Sequence, residues 1–282
     1  MARVLTALVV FAMVSLWVPA ATPGDETTTC GPSYQVKWFN PREAEDPPVE
    51  AWLVVTTPEG EEILRVTSEA WCPHTIAPLW CEDILKIGTH SLAYTIYSGG
   101  VHCCWDAYVV LLERPSRVLL KASLGNYFDL RPDQLDDTGP LELVSRSDLF
   151  AVFGGLPSFA APFLPLVFVY NGESYVEATV RFPDYIRADL EDALSDLPGG
   201  CLEEKRGKAL RAFGDYVLLG QDQWGLSDLK TRVSDDVAEW LDNSAVEAIA
   251  RIKHRYRFDS DKLDHRKSDP RATFDLVCAG AT

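Results

Sequence analysis

The residues best able to do chemistry lie in one short stretch, residues 98–104, which reads SGGVHCC. Its two adjacent cysteines follow His102 directly. A neighbouring imidazole can take the proton of a cysteine and so create the thiolate that acts as a nucleophile. In such a site His102 or His74 is the base, and Asp106, on the same face of a strand as His102, orients the imidazole. This arrangement predicts a thiol hydrolase as one alternative.

Disulfide formation is the other interpretation of Cys103 and Cys104. Successive side chains of a strand point to opposite faces. We therefore expect either that one of them pairs with Cys30 while the other stays free, or that the two bond to each other. A zinc site is a further alternative, because zinc is bound by about four cysteine or histidine side chains. The candidate ligands are Cys72, His74, His102 and Cys103. Their spacing matches no zinc-finger pattern.

All seven cysteines are disulfide candidates if the protein is exported, and an odd number leaves one over. They are Cys30, Cys72, Cys81, Cys103, Cys104, Cys201 and Cys278. Cys72 and Cys81 enclose a short proline-containing loop and are the easiest pair. Cys201 and Cys278 enclose the predicted helical part of the chain.

The N-terminal residues predict export. Arg3 supplies a positive start, residues 4–18 form an uncharged apolar run, and VPA at 18–20 provides a small-x-small exit. This is the layout of a cleaved secretory signal peptide, spanning 1–21, and not of a stable membrane anchor. We therefore expect an extracytoplasmic protein, periplasmic or secreted, in a compartment where disulfides form.

The chain is strongly acidic, with a formal net charge of −16 and a pI near 4.7. Nucleic-acid partners need a clustered basic surface, and the sequence has no dense run of Lys and Arg. The same acidity disfavours docking on anionic lipid. We expect the partner to be an unidentified protein or a small ligand.

Strand signals dominate the first part of the chain and helix signals the last part. Residues 22–32 are predicted as a disordered leader, and 33–181 as a β-rich domain whose strongest hairpin signal is the NG pair at 171–172. Residues 182–282 are predicted as a helical segment with a charged loop and a tail attached through Cys278. The predicted class is α+β, with an antiparallel β-meander or a partial propeller-like β domain followed by C-terminal helices.

The helix signals define several elements. Periodicity and stop signals predict helices over 184–197, 203–219 and 235–241. A capping box at 244–247, SAVE, predicts the start of another helix that ends near Arg257. The predicted segment therefore contains three or four helices.

One internal repeat relates residues 83–92, DILKIGTHSL, to residues 134–143, QLDDTGPLEL. Gly88 matches Gly139, and a bend and a hairpin follow each copy. The second copy resembles the calcium loops of integrin-type FG-GAP repeats, also called VCBS repeats, in which carboxylates alternate with other residues before a glycine.

Together with SGGVHCC, the second copy is similar to a group of uncharacterised exported bacterial proteins that carry an SGGxHCC segment and then an Asp-rich loop. The resemblance covers about residues 80–180 and implies a fold without implying an activity. Carried over position by position, it implies a degenerate calcium site formed by Asp136, Thr138, Glu142 and Asp148.

The chain departs from that pattern in both copies. Gln134 stands where the first ligand Asp is expected, and Thr138 replaces the third. The first copy keeps Asp83 but has Leu85 and Ile87 at ligand positions, so we expect no metal there. For the second copy tight Ca²⁺ binding, weak Ca²⁺ binding and a purely structural Asx-type turn remain open; we expect no cofactor other than weakly bound Ca²⁺.

The function expected from the sequence is that of an exported, non-enzymatic protein that binds a partner or belongs to the cell envelope. The alternative is a secreted hydrolase. It uses either the Cys/His pair or two carboxylates among the 42 acidic residues, of which nothing in the sequence selects two.

Overall fold

The computed structural model describes residues 26–41, 50–67, 75–97, 104–137 and 139–256. Within these ranges twelve antiparallel strands form three open four-stranded sheets, and four α-helices follow them along the chain. No sheet within these ranges closes into a barrel. The α+β class, with a β-meander followed by C-terminal helices, is therefore confirmed.

The first sheet contains its strands in sequential order. They are β1 (Glu26–Cys30), β2 (Tyr34–Phe39), β3 (Trp52–Thr56) and β4 (Glu62–Thr67). The turn between β3 and β4 places Gly60 at φ +86°, a left-handed conformation that glycine adopts without steric cost. The residues of this turn therefore determine how β3 and β4 are connected.

The second and third sheets repeat this simple order. The second is formed by β5 (Thr75–Glu82), β6 (Ser91–Tyr97), β7 (Trp105–Leu111) and β8 (Arg117–Gly125). The third is formed by β9 (Arg131–Asp133), β10 (Glu142–Ser147), β11 (Leu164–Tyr170) and β12 (Tyr175–Glu177). The predicted hairpin at 171–172 joins β11 to β12, and the Asn171 side chain accepts hydrogen bonds from the amides of Glu173 and Ser174.

The prediction of a disordered leader over 22–32 is wrong from residue 26 onward. β1 pairs along its whole length with β2, and Cys30 at its end is fully buried and bonded to Cys81 on β5. Its β-branched threonines suit a strand, and the covalent tether holds this strand on the second sheet. Residues 22–25 and the predicted signal peptide, 1–21, lie outside the described residues.

Four helices follow the third sheet. They are α1 (Pro183–Asp196), α2 (Leu202–Leu218), α3 (Asp222–Arg232) and α4 (Asp235–Arg255). The predicted stop at 198–200 separates α1 from α2, where Gly200 has φ +102°. The sequence predicts three or four helices, and the structure contains four in this part of the chain. No helix was predicted for the residues of α3.

The prediction that a new helix starts at 244–247 is wrong, because α4 continues through these residues. No glycine or proline interrupts this helix. Buried Leu241, Ala245 and Ala248 lie at helical spacing and continue a single apolar stripe. Tertiary packing of that stripe therefore outweighs a local start signal.

Two hydrophobic clusters connect the sheets and helices. One joins the first two sheets and includes Val36, Leu53 and Tyr108. The other joins the second and third sheets to the helices and includes Leu166 and Phe213. The helices are therefore packed on the third sheet and are part of the same core.

Close packing fixes α2 against the end of the third sheet. Gly207 lies so near the carbonyl oxygen of Ala160 that an added Cβ would collide with it, and an added Cβ at Gly214 would collide with the side chain of Leu164. Ala160 belongs to a 3₁₀ helix, Ser158–Ala160, just before β11. The contact between Gly207 and Ala160 sets the distance between α2 and the segment that precedes β11.

Among the described residues, no helix combines the length and apolar character needed to cross a bilayer. The predicted charged loop and the tail with Cys278 fall in residues 257–282, which lie outside the described ranges.

Candidate functional site

The structure tests only part of the proposed Cys/His site. Cys104 is disulfide-bonded, so its sulfur cannot serve as a thiolate nucleophile. His102 and Cys103 lie outside the described residues, as do Cys72 and His74, the other two zinc candidates. Asp106 is located on β7, opposite Ile96 of β6.

Three of the expected disulfide pairings are wrong. Cys81 bonds to Cys30 and not to Cys72, and the two Cα atoms of the bonded pair are 5.2 Å apart. Neither Cys103 nor Cys104 therefore pairs with Cys30. Cys201 is an exposed free cysteine and does not pair with Cys278. The first two expectations failed because β1 and β5 are adjacent only in the folded protein. A disulfide between two sheets is consistent with an oxidising, extracytoplasmic location.

The predicted calcium loop uses its carboxylates for other purposes. Glu142 is buried, and its Oε2 accepts hydrogen bonds from the backbone amides of Leu135 at 2.8 Å and Asp136 at 3.4 Å. Asp148 instead accepts hydrogen bonds from the backbone amide and side chain of Asn126. The two acids therefore stabilise different segments, and Thr138 lies outside the described residues.

The two copies of the repeat contact each other through their loops. In the first copy the Asp83 carboxylate accepts hydrogen bonds from the amides of Ile87 and Gly88, which makes a structural Asx-type turn. The ammonium of Lys86 donates to the side-chain oxygen of Gln134, which stands at the first ligand position of the second copy. A positive charge at that position does not fit calcium, and the described residues contain no group of three or more His, Cys, Asp or Glu suited to a metal.

A buried ionic cluster lies where α1 and α2 meet the third sheet. The carboxylate of Asp189 on α1 accepts hydrogen bonds from Arg146 on β10 at 2.6 Å and from Arg211 on α2 at 2.7 Å. Burial alone would raise the pKa of Asp189, but the hydrogen bonds from both guanidinium groups outweigh it and hold that pKa below its usual value. Asp189 is therefore a carboxylate at neutral pH.

Asp215, one helical turn after Arg211 on α2, has the opposite character. It is fully buried, and among the described residues neither of its oxygens meets a hydrogen-bond donor. Burial, and after it the negative charge of Asp189, raises the pKa of Asp215 well above its usual value. The low-dielectric surroundings thus favour the protonated form of this side chain.

An open cleft of about 490 Å³ adjoins the ionic cluster. This is within the usual size range of small-molecule sites. Its walls combine positive side chains, negative side chains and aromatic rings. The residues that carry these groups are Arg146, Lys208, Arg211, Asp192, Glu204, Phe159 and Phe163.

A second, smaller pocket of about 220 Å³ lies on the other side of Arg146. Its polar lining includes Arg131, Asp129, Tyr127 and Tyr185. Burial raises the pKa of both tyrosines, and for Tyr127 the charge of Asp129 adds to the rise, although the two arginines oppose it. Both phenols therefore keep their protons at neutral pH. The ring of Tyr127 lies 5.3 Å from that of Phe163 in the larger cleft, and the two pockets therefore share a wall. We call them together the Arg146 cleft.

Aromatic rings continue from the Arg146 cleft toward the SGGVHCC segment. Ring centroids of Tyr127 and Phe128 are 6.4 Å apart, those of Phe128 and Trp105 are 5.9 Å apart, and those of Trp105 and Tyr97 are 4.8 Å apart. Tyr97 and Trp105 flank residues 98–104 in the sequence. The row of rings thus ends at the two described residues that flank this motif in the sequence.

The sequence analysis missed this cleft. Its arginines are isolated in the sequence, and Arg146 and Asp189 are 43 positions apart. The only local signal was the basic character of α2, which carries KRGK at 205–208 and Arg211. No family model, no curated protein and no solved structure matches this chain.

Proposed function

We propose that this chain is an exported, non-enzymatic binding protein whose ligand carries an anionic group that docks in the Arg146 cleft. Positive side chains gathered on a chain of net negative charge carry the proposal. The formal net charge of the chain is −16, yet Arg131, Arg146, Lys208 and Arg211 line the two adjoining pockets. Three acids, Asp129, Asp192 and Glu204, line the same pockets, so the cations exceed the lining acids by one and favour an anionic ligand.

Most positive charges of the cleft are compensated within the protein. Arg146 and Arg211 share the carboxylate of Asp189, and Arg211 also bonds to exposed Asp192. Lys208 pairs with Asp196.

Arg131 differs from these three cations. Its side chain is exposed, and its guanidinium forms no hydrogen bond or ion pair with another residue of the described ranges. An anion between Arg131 and Arg146 gains charge-assisted hydrogen bonds, which are stronger than neutral ones.

The arrangement favours binding over catalysis. Of the acids beside the cleft, Asp215 is fully buried and Asp189 is held by two arginines. Asp192, which lines the larger pocket, is bonded to Arg211. Acid–base hydrolysis of a glycoside needs two carboxyl groups that flank the substrate. The disulfide of Cys104 also removes one of the two candidate nucleophiles of the alternative function, a thiol hydrolase.

Export is supported by two independent features. The N-terminal residues have the layout of a cleaved signal peptide, and Cys30 and Cys81 form a disulfide between two sheets. Such bonds persist in the periplasm and outside the cell and are rare in the cytosol. We therefore expect the protein to bind its ligand in the periplasm or outside the cell.

Isothermal titration calorimetry of the full, oxidised chain with citrate tests the proposal. We expect saturable binding that weakens with added salt. Arg131→Gln should weaken it about tenfold, which corresponds to about 1.4 kcal/mol. The matched control is Arg65→Gln, since Arg65 is also exposed but pairs with Glu62 on the first sheet. Equal effects of the two variants, or no binding of citrate, would contradict the proposal.

A further inference from the structure

Opposite charges alternate along the wall of the larger pocket of the Arg146 cleft. Lys208 and Arg211 stand there beside Asp192 and Glu204. A dense polyanion would meet these carboxylates unfavourably. A hydroxyl group suits both, because it donates a hydrogen bond to a carboxylate while it accepts one from an ammonium or guanidinium group.

The same pocket presents apolar rings beside its charged groups. Phe159 is 71% exposed, although a side chain of this size normally gains by burial. It lines the pocket together with Phe163, whose ring contacts Tyr127 of the smaller pocket. A ligand that fits here has apolar faces for these rings and polar edges for the charges, as the C–H faces and hydroxyl edges of a sugar ring do.

The elements around the larger pocket disfavour an extended peptide. Its walls are formed largely by α1, α2 and the 3₁₀ helix before β11, and most backbone groups of an α-helix are bonded inside the helix. A peptide that adds to a sheet needs a row of unpaired backbone groups. Nucleic acid is disfavoured by the net charge of −16.

We infer that the ligand of the Arg146 cleft is an acidic saccharide of at least two sugar residues, an inference that rests on the proposed function. The carboxylate of a uronic acid docks between Arg131 and Arg146 in the smaller pocket, which Tyr127, Tyr185 and Asp129 also line. The two guanidinium groups there outnumber the one carboxylate of Asp129. The neighbouring sugar occupies the larger pocket, with its apolar face against Phe159. Two subsites follow because the two pockets adjoin at Arg146.

Calorimetric titration of the full, oxidised chain with four probes of similar length tests this inference. The probes are trigalacturonate, maltotriose, triglutamate and a thymidine trinucleotide. We expect trigalacturonate to bind at least tenfold more tightly than each of the other three. The Phe159→Ala variant should weaken trigalacturonate binding about tenfold and weaken citrate binding much less.

The control for this variant is Val246→Ala on α4, since Val246 is 81% exposed and lies outside both pockets. It should change neither titration. Binding of citrate that depends on Arg131, combined with no preference for trigalacturonate, would overturn the saccharide inference and leave the proposed function standing. Tighter binding of triglutamate or of the trinucleotide would identify a different ligand class, and loss of all binding would remove both proposals.

Discussion

At the scale of single residues, Asp189 and Asp215 differ because only one of them meets donors. Asp189 is held by Arg146 and Arg211, whereas Asp215 is buried without a hydrogen bond. An uncompensated carboxylate in the interior is costly, so the group binds a proton instead. Asp215 therefore contributes a dependence of stability on pH that no exposed acid of the chain would show.

We predict the sign of that dependence. The unfolded chain releases the proton of Asp215 near pH 4, while the folded protein keeps it to a higher pH because its pKa is raised. This contribution to stability is full below pH 4 and is lost as the pH rises through the folded-state pKa. In Asp215→Asn no such loss occurs. At pH 8 we expect the variant to be more stable relative to the wild type than at pH 4, by more than about 1 kcal/mol.

Denaturant unfolding at a series of pH values measures this difference. The control is Asp137→Asn, an exposed acid of the loop before β10, which should change stability by less than about 0.5 kcal/mol at every pH. A difference for Asp215→Asn that stays constant between pH 4 and pH 8 would contradict the protonation of this side chain.

At the scale of elements, the two copies of the repeat keep one turn geometry and stabilise it from opposite ends. Gly88 and Gly139 have φ values of +83° and +85°. The first copy uses the acid at its start, Asp83, and the second uses the acid near its end, Glu142. Each carboxylate accepts hydrogen bonds from backbone amides. If it bound a cation instead, those amides would lose their acceptor.

We therefore predict that Glu142 stabilises the fold and that calcium does not. Glu142→Ala leaves two amides without their acceptor and should cost about 1 to 3 kcal/mol of unfolding free energy. Millimolar Ca²⁺ should not shift the melting temperature of the wild type, because a ligand stabilises only in proportion to its binding to the folded state. Differential scanning calorimetry measures both effects.

Glu173→Ala is the control for the Glu142 variant, since Glu173 is exposed in the β11–β12 turn. It should leave the melting temperature nearly unchanged. A rise in melting temperature with Ca²⁺ that disappears in Glu142→Ala would show that the loop binds the metal after all.

At the scale of the whole molecule, the bond between Cys30 and Cys81 joins β1 to the second sheet across 51 positions of the sequence. Both sulfurs adjoin the hydrophobic cluster shared by the first two sheets. On the chain-entropy model a cross-link over a loop of this length stabilises the folded state by about 4 kcal/mol. This bond and the shared cluster attach the N-terminal sheet to the rest of the fold.

The double variant Cys30→Ser, Cys81→Ser should therefore lose about 4 kcal/mol of unfolding free energy in denaturant. Cys201→Ser is the control, because Cys201 is an exposed free cysteine, and it should change stability by less than about 0.5 kcal/mol. A loss of similar size in both variants, or in neither, would contradict the role of this bond.

Features that depend on neighbouring residues can be read from the amino-acid order alone. The NG pair at 171–172 requires a left-handed turn, and the stop at 198–200 separates two helices, wherever they lie in the fold. Strand and helix periodicity likewise established the α+β class and the order of its parts, because burial on one face is visible in the spacing of apolar residues.

Only the tertiary structure decided which distant residues meet. It joined Cys30 to Cys81, continued α4 through a local start signal at 244–247, and brought Arg146 and Arg211 to the carboxylate of Asp189. An isolated arginine or aspartate looks the same in the sequence whether its side chain forms an ion pair or faces solvent. The sheet and helix packing that selects among those partners is set by contacts across the whole core, and no short stretch of sequence contains that information.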